Sequence, residues 1–381
     1  MIRPEILSQS WPIKPLGDAV EFLDHLRRPI TARDRKAGIY PYYGANGQQD
    51  SVADYLFDEP LILLAEDGGY FGDQERTIAY RVEGKCWVNN HAHVLRPKQG
   101  VDIGFLCRQL EHYDVTPFIN GATREKLTKS SALKIPVTLP PLAEQKRIAA
   151  ILDKADAIRR KRQQSIKLAD DFLRATFLDM FGDPVTNPKG WKVKIIDSLV
   201  EDIKTWNPAT KPDSQFWYID ISAIDQETKI IKTAKQIYGK DAPSRARQLI
   251  KAGDILVSTV RPNLNAVAFV EDIFEGGTAS TGFCVLRPRK DSITSQYLFA
   301  LVRSKTFINS MIQQATGASY PAVNCSIVRS WTAPIPPLEL QKQYNTQVER
   351  TLSLRKKEDV NLSYVDGLFN SLTQRAFRGE L

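Results

Sequence analysis

Cysteine, histidine and methionine are scarce in this chain, at four, four and three among 381 residues, and long apolar runs are missing altogether. Cys86, Cys107, Cys284 and Cys325 stand far apart without CxxC spacing, which argues against a disulfide framework or a zinc ribbon and leaves them expected as free thiols. Cys86, His91, His93 and Cys107 match no familiar zinc spacing, and nothing comparable recurs later in the chain. No segment approaches the roughly 18 apolar residues that a membrane helix requires. The opening residues Met1-Ile2-Arg3-Pro4-Glu5 lead into neither an apolar h-region nor a small-residue cleavage site, so a cytoplasmic location without membrane partners is expected. Also missing are a GxxxxGK loop, a GxGxxG turn after a strand, and the Asn/Asp-Pro-Pro-aromatic tetrapeptide of amino-methyltransferases. Nucleotide binding and methyl transfer by this chain are therefore not expected.

What is present is a globular composition, 42% hydrophobic and 25% charged, on a chain long enough for two or three domains. Lys and Arg outnumber Asp and Glu by 52 to 44, a net charge of +8 that favours polyanionic partners such as nucleic acid.

The chain is also built twice. Leu139-Pro140-Pro141-Leu142-Ala143-Glu144-Gln145-Lys146 recurs as Ile335-Pro336-Pro337-Leu338-Glu339-Leu340-Gln341-Lys342, and the same offset carries Asp170 onto Asp366 and Phe181 onto Phe377. Upstream, Trp11-Pro12-Ile13-Lys14-Pro15-Leu16 is echoed by Trp191-Lys192-Val193-Lys194-Ile195-Ile196, and Val94-Leu95-Arg96-Pro97-Lys98 by Val285-Leu286-Arg287-Pro288-Arg289. The layout is a globular unit, a helix, a second globular unit and a second helix. Each globular unit reads as mixed and β-rich. Leu61–Ala65, Asp254–Ser258 and Val267–Val270 have the short apolar runs of buried strands, and Phe105–Leu110 and Tyr297–Val302 suggest a late helix in each.

After each Pro-Pro the pattern changes. Ile148, Ile151, Ala155, Ile158, Arg162, Ser165, Ala169, Phe172 and Thr176 step by threes and fours, as do Tyr344, Gln347, Thr351, Leu354, Glu358, Asn361, Val365, Leu368 and Leu372. These are heptad seams of long helices. The prolines suit helix starts, and Gly182 and Gly379 suit their ends. Residues 142 to 181 make a helix of about 60 Å, with a stripe too narrow to be stable alone in water. Antiparallel pairing of the two helices is expected, with Arg162 near Glu358 in a polar layer that fixes the register. The run Arg159-Arg160-Lys161-Arg162 reads as a solvated or partner-docking helix face rather than a DNA-binding one.

Two kinds of chemistry remain open. Pro212-Asp213 with Glu227 and Lys229 resembles the PD-ExK arrangement of magnesium-dependent nucleases, although Lys211 and Ser214 around it suggest a turn. Nucleic-acid readout has better supplied candidates. Tyr42, Tyr43, Asn46 and Gln48 lie in an aromatic, amide and glycine loop, and Thr259, Arg261, Asn263 and Asn265 follow a strand. Thr123, Arg124 and Lys126 correspond to Ser319 and Tyr320, and Asn89 and Asn90 to Thr281. The alternative for these sets is an ordinary turn or strand cap.

The whole pattern resembles the specificity subunit of type I restriction-modification systems. The resemblance rests on the duplicated plan, on Pro140-Pro141-Leu142-Ala143-Glu144-Gln145-Lys146-Arg147-Ile148, on Tyr40-Pro41-Tyr42-Tyr43-Gly44-Ala45-Asn46-Gly47 and on Thr278-Ala279-Ser280-Thr281-Gly282-Phe283. The second helix start replaces Ala-Glu with Glu-Leu at 339–340, which puts identical docking at both helices in question. The resemblance implies an α+β fold: target-recognition domains at 1–140 and 183–336 and spacer helices at 141–182 and 337–381, the helices forming an antiparallel coiled coil. It implies a noncatalytic reader of a bipartite double-stranded DNA target, and because the two recognition domains differ greatly in sequence, an asymmetric target is expected. Two modification (methyltransferase) subunits and restriction subunits would be the partners, and S-adenosylmethionine, ATP and magnesium would belong to them. A nuclease and a coiled-coil protein scaffold are the competing readings.

Overall fold

The structure, a computed structural model, describes residues 2, 3, 5, 7, 10–73, 76–119, 125–317 and 320–381. It divides into two compact units, Met1–Gln164 with Asp359–Leu381, and Ser165–Glu358. Among the described residues no helix is long and apolar enough to cross a membrane.

The first unit begins with β1 (Ile13–Pro15), α1 (Leu16–Ala19), β2 (Val20–Phe22), β3 (Ala37–Gly44), β4 (Gly47–Val52) and β5 (Phe57–Asp58). It continues with β6 (Leu61–Ala65), β7 (Ala79–Val82), β8 (Lys85–Val88), β9 (Ala92–Pro97), α2 (Ile103–Glu111), α3 (Lys129–Ala132) and β10 (Pro136–Thr138). The long helix α4 (Leu142–Phe181) follows. The second unit has β11 (Lys192–Ile195), β12 (Val200–Glu201), β13 (Gln215–Ile219), β14 (Lys235–Tyr238), β15 (Ala246–Leu249) and β16 (Ile255–Ser258). Then come β17 (Val267–Phe269), β18 (Thr278–Ser280), β19 (Phe283–Pro288), α5 (Ser295–Val302), α6 (Lys305–Gln314), α7 (Cys325–Ser330), β20 (Thr332–Ile335) and the second long helix, α8 (Leu338–Arg378).

The sequence repeat is a repeat of topology. Sheets ordered β2-β9-β6-β7 and β4-β3-β8-β5 in the first unit return as β12-β19-β16-β17 and β14-β13-β18-β15 in the second, each unit adding a terminal pair, β1-β10 or β11-β20. Even the parallel pairings match, β3 with β8 and β13 with β18. The core strands β6 and β16 are buried throughout, as their unbroken apolar runs require.

The recurring motifs turn out to be recurring contacts. Gln145 Oε1 accepts from Asp102 N at 2.8 Å while its Nε2 donates to Pro140 O at 2.7 Å; Gln341 Oε1 accepts from Thr294 N at 2.9 Å and its Nε2 donates to Pro336 O at 2.9 Å. Asp102 and Thr294 are the N-caps of α2 and α5, so one buried amide ties each Pro-Pro turn to the start of a core helix. The arginine of each Val-Leu-Arg-Pro is likewise paired: Arg96 grips Glu59 at 2.6 and 2.7 Å, and Arg287 grips Asp254 at 2.7 and 2.9 Å. Phe377 at the end of α8 packs on Phe105 of α2, and Phe181 at the end of α4 packs on Tyr297 of α5, with centroids 5.4 and 4.7 Å apart. Gly182 and Gly379 close the two helices at φ 79° and 74°, a left-handed C-terminal conformation that favours glycine.

Within each unit the long helices run antiparallel. In the first, Arg147 donates to Leu381 O and the Arg159 guanidinium covers the Phe369 ring; in the second, Arg355 binds Asp170 and Phe177 contacts Tyr344. The seams are shifted from the expected ones at alternate positions. Ile158, Phe172, Leu354 and Leu368 are exposed, while Leu152, Asp156, Leu173, Phe177, Val348 and Phe369 are buried. Asp156 displaces its apolar neighbour because α2 presents Arg108 to it at 3.0 Å, a partner that helix periodicity does not reveal.

The free-thiol expectation holds for Cys86 and Cys107, which are buried and unbridged. Burial pushes the Cys86 thiol up to about 11. It fails for Cys284 and Cys325, which form a disulfide. The fold sets the first turn of α7 against β19, a juxtaposition that 41 residues of sequence separation conceal.

Candidate nucleic-acid interface

In both units, three connections converge at one end of the core sheet. In the first unit these are the turn after β6, the β8–β9 turn and the segment before α3: Glu66 N donates to His91 O at 2.8 Å, Leu127 N to Glu66 O at 2.8 Å, and Asp67 pairs with Lys126. The β3–β4 turn joins them, because Asn46 Nδ2 donates to Gly68 O at 2.9 Å. In the second unit the turn after β16, the β18–β19 turn and the segment before α7 meet in the same way. Thr259 donates to Gly282 O through both N and Oγ1 at 2.9 Å, Val323 N to Thr259 O at 2.9 Å, and Arg261 N to Pro321 O at 2.7 Å.

On this platform the expected readers separate into presented and consumed side chains. Asn46, Gln48, Asn90, Lys126, Arg261, Asn263, Thr281 and Tyr320 are exposed or partly exposed, and the Arg261 guanidinium stacks 4.6 Å from the Tyr320 ring centroid; of these, Asn46 also holds Gly68 O, Gln48 holds Asp50 O and Ser51 Oγ, and Lys126 pairs with Glu66. Tyr43 and Thr259 are half-buried, Tyr43 against the Tyr80 ring. Tyr42 and Asn89 correct the expectation. Tyr42 is 1% exposed, its hydroxyl holding both N and O of Ile30. Asn89 is 3% exposed and spans Gln49 Oε1 and His91 N. Their polar atoms serve the fold, so neither is available to bases. Asn265 turns inward, its Nδ2 donating to Arg303 O. Thr123, Arg124 and Ser319 lie outside the described residues.

The first platform rests on a charged cluster that the sequence reading missed. His93 is fully buried and directs Nδ1 to Asp24 Oδ2 at 2.7 Å and Nε2 to Leu127 O at 2.8 Å. Arg27 bridges Glu66 at 2.6 Å and Ala92 O at 2.7 Å, and Lys126 reaches Glu66 at 2.9 Å. Burial works against the charges of Asp24 and Glu66. Contacts from His93, Val94 N–H and Arg27 to the former, and from Arg27, Lys126 and His93 to the latter, prevail and hold both carboxyls below the usual range. Asp24, Glu66 and His93 could supply metal ligands by type and proximity, but their acceptor atoms already face Arg27, Lys126 and the imidazole, so the chemistry present is that of an ion-pair network. The acidic pair Glu66-Asp67 directly after a buried strand was the available signal.

The nuclease constellation is not assembled around Lys229. Its amine donates to Asn265 O, and although Glu227 lines the same cleft, Asp213 does not.

Residues 9–168 match the type I restriction modification DNA specificity domain. A type I restriction enzyme specificity subunit of Haemophilus influenzae is 38% identical over 145 residues, 38% of this chain and 37% of that protein, so this match spans little more than a third of the relative. Longer matches, at 21% and 22% identity, run to the MjaVIII specificity subunit of Methanocaldococcus jannaschii (92% of this chain, 88% of that one) and the EcoDI specificity subunit of Escherichia coli (98% and 89%). The crystal structure of the type I restriction-modification S subunit from M. genitalium shares the fold over 96% of each chain, with TM-score 0.60 and 12% identity. With its duplicated β-rich units, two long helices and recurring loop platform, the chain is similar to type I restriction-modification specificity subunits, and its residues 9–168 match the DNA specificity domain of that family.

Proposed function

We propose that this chain is the noncatalytic reader of a bipartite, asymmetric DNA target. The observation that carries the reading is the loop platform built twice with unlike side chains: Asn46, Asn90 and Lys126 on one, Arg261, Asn263, Thr281 and Tyr320 on the other. Arginine and amide side chains suit guanine and adenine edges in the major groove, and two different platforms call for two different half-sites. The paired helices set the gap between half-sites, as spacing does in dimeric DNA readers, and dock two modification subunits. Arg162 and Glu358 are assigned a polar layer that fixes helix register; unchanged pairing after both become leucine would remove that role. Restriction subunits complete the assembly. This chain itself is assigned no cofactor, S-adenosylmethionine, ATP and magnesium belonging to the partners.

Co-expression with the products of neighbouring genes, followed by genome-wide mapping of methylated adenines, tests the reading. An interrupted, asymmetric motif is expected, with Asn46→Ala relaxing one half and Arg261→Ala the other. A palindrome would overturn the asymmetry, and absence of any motif in a methylating complex would overturn the DNA-reading role. Magnesium-dependent cleavage by the purified chain, abolished by Asp213→Ala, would establish the nuclease instead.

A further inference from the structure

A cleft of ≈470 Å³ opens in the second unit between the C-terminal part of α4, the turn at Glu227–Lys229, Asn265 and the α5–α6 junction. The Asp225 carboxylate builds one wall by accepting Glu227 N at 3.0 Å and Thr228 N at 2.9 Å, which turns the chain back sharply and leaves Lys229 at φ 61°. Asn265, ending the turn at 262–264, sits at φ 49°. Both are left-handed conformations that side-chain-bearing residues adopt at a cost, and the two residues are joined across the cleft by the Lys229 amine on Asn265 O. Strained non-glycine residues of this kind cluster at functional sites.

Five basic side chains, Arg174, Lys229, Arg303, Lys305 and Arg355, line the cleft beside four carboxylates. Lys229 lies half-buried beside Arg303, whose carbonyl holds the Asn265 amide. Burial first, and then the Arg303 charge, bring the Lys229 amine down to about 8, with Asp225 opposing. Lys305 and Thr306 open the ten-residue helix α6 into the cleft, and Ser304 Oγ caps it on Phe307 N at 3.2 Å. The first N–H groups of a helix favour an anion. Of the carboxylates in the cleft, Asp170 is bound by Arg355 and Asp183 accepts from Val185 N and Thr186 N, which leaves Asp171 and Glu227 to oppose an entering anion.

We infer that this cleft is a phosphate seat, in which Lys229, Arg303 and the α6 N-terminus hold the oxyanion. The phosphate comes either from the backbone of bound DNA or from a free phosphate ester, so the seat does not depend on the DNA reading.

The test uses the full chain with the subunits that co-purify with it, as wild type, Lys229→Gly, Arg303→Gln and Glu227→Gln. Glycine adopts the left-handed turn freely, so Lys229→Gly is expected to keep or raise thermal stability, and any binding loss then reports the seat rather than the fold. In the first arm, inorganic phosphate at matched ionic strength raises the thermal midpoint of the wild type; the rise disappears in Lys229→Gly and Arg303→Gln and grows in Glu227→Gln. In the second, duplex DNA affinity is followed against salt. A backbone source lowers the log–log salt slope by about one in Lys229→Gly, uniformly across sequences, whereas a free-ester source leaves the slope unchanged while the phosphate response is lost. If Lys229→Gly matches wild type in both arms, the seat does not exist, whatever motif the complex methylates.

Discussion

Replacing Gln145 by leucine removes one amide of near-equal size from a site that is 1% exposed. The amide accepts Asp102 N at 2.8 Å and donates to Pro140 O at 2.7 Å and Gly100 O at 3.1 Å. Leucine fills the space but leaves the N–H and at least one carbonyl without partners, at about 1–3 kcal/mol each for buried groups. A loss of about 3 kcal/mol is therefore expected, out of the 5–15 kcal/mol typical of a whole domain. For a unit of this size that corresponds to a fall of about 6–12 °C in thermal midpoint. Scanning calorimetry and urea unfolding measure it. Gln341→Leu is expected to cost the second unit as much, and the two losses to add, because the amides share no partner. Glutamate at 145 keeps the acceptor for Asp102 N but turns a carboxylate oxygen toward the Pro140 and Gly100 carbonyls, so near neutral pH its cost is expected to exceed that of leucine. A loss under about 1 kcal/mol for Gln145→Leu, the size of a surface change, would refute the clamp and make the recurrence of glutamine after each Pro-Pro incidental.

The two repeated arginine pairs are expected to differ sharply in urea unfolding. Arg287→Ala strands the buried Asp254 carboxylate and costs about 3–5 kcal/mol, whereas Arg96→Ala breaks a pair that is 40% and 32% exposed and costs under about 1 kcal/mol. Acid is expected to destabilise the first unit. Burial opposes the charge of Asp156, but Arg108, Arg159 and Arg160 outweigh it and hold its carboxyl below the usual range. Its stabilisation is thus complete above the ordinary carboxylate pKa and disappears as pH falls through the depressed one; Asp156→Asn should flatten that part of a pH 7 to 3 stability series. Alkylation in denaturant should label two thiols without reductant and four with it, read by mass spectrometry.

Much of the architecture was legible because it is local. Pro-Pro before a three-four pattern and glycine after it bound both long helices, and the apolar runs at 61–65 and 255–258 marked the core strands. Loop candidates were legible by position but not by role. Asn46 and Asn89 look alike in sequence, yet Asn46 stands exposed at a turn with its Nδ2 on Gly68 O, whereas Asn89 is buried and spent on Gln49 and His91. The charged cluster under the first platform escaped notice because Asp24, Arg27, Glu66, His93 and Lys126 come from separate segments, each unremarkable alone.

The sequence by itself determined the doubling, the helix starts and ends, and the alternation of β-rich units with long helices, since these follow from periodicity and from the fixed φ of proline and the freedom of glycine. Only the tertiary structure decided which face of α4 is buried, that Cys284 and Cys325 are bonded, and that Lys229 lines a cleft beside Arg303. Each of those outcomes depends on a partner brought close by folding, Arg108 for Asp156, α7 for β19, Asn265 and Arg303 for Lys229. The energy of a buried polar group is set by that partner, which no local pattern encodes.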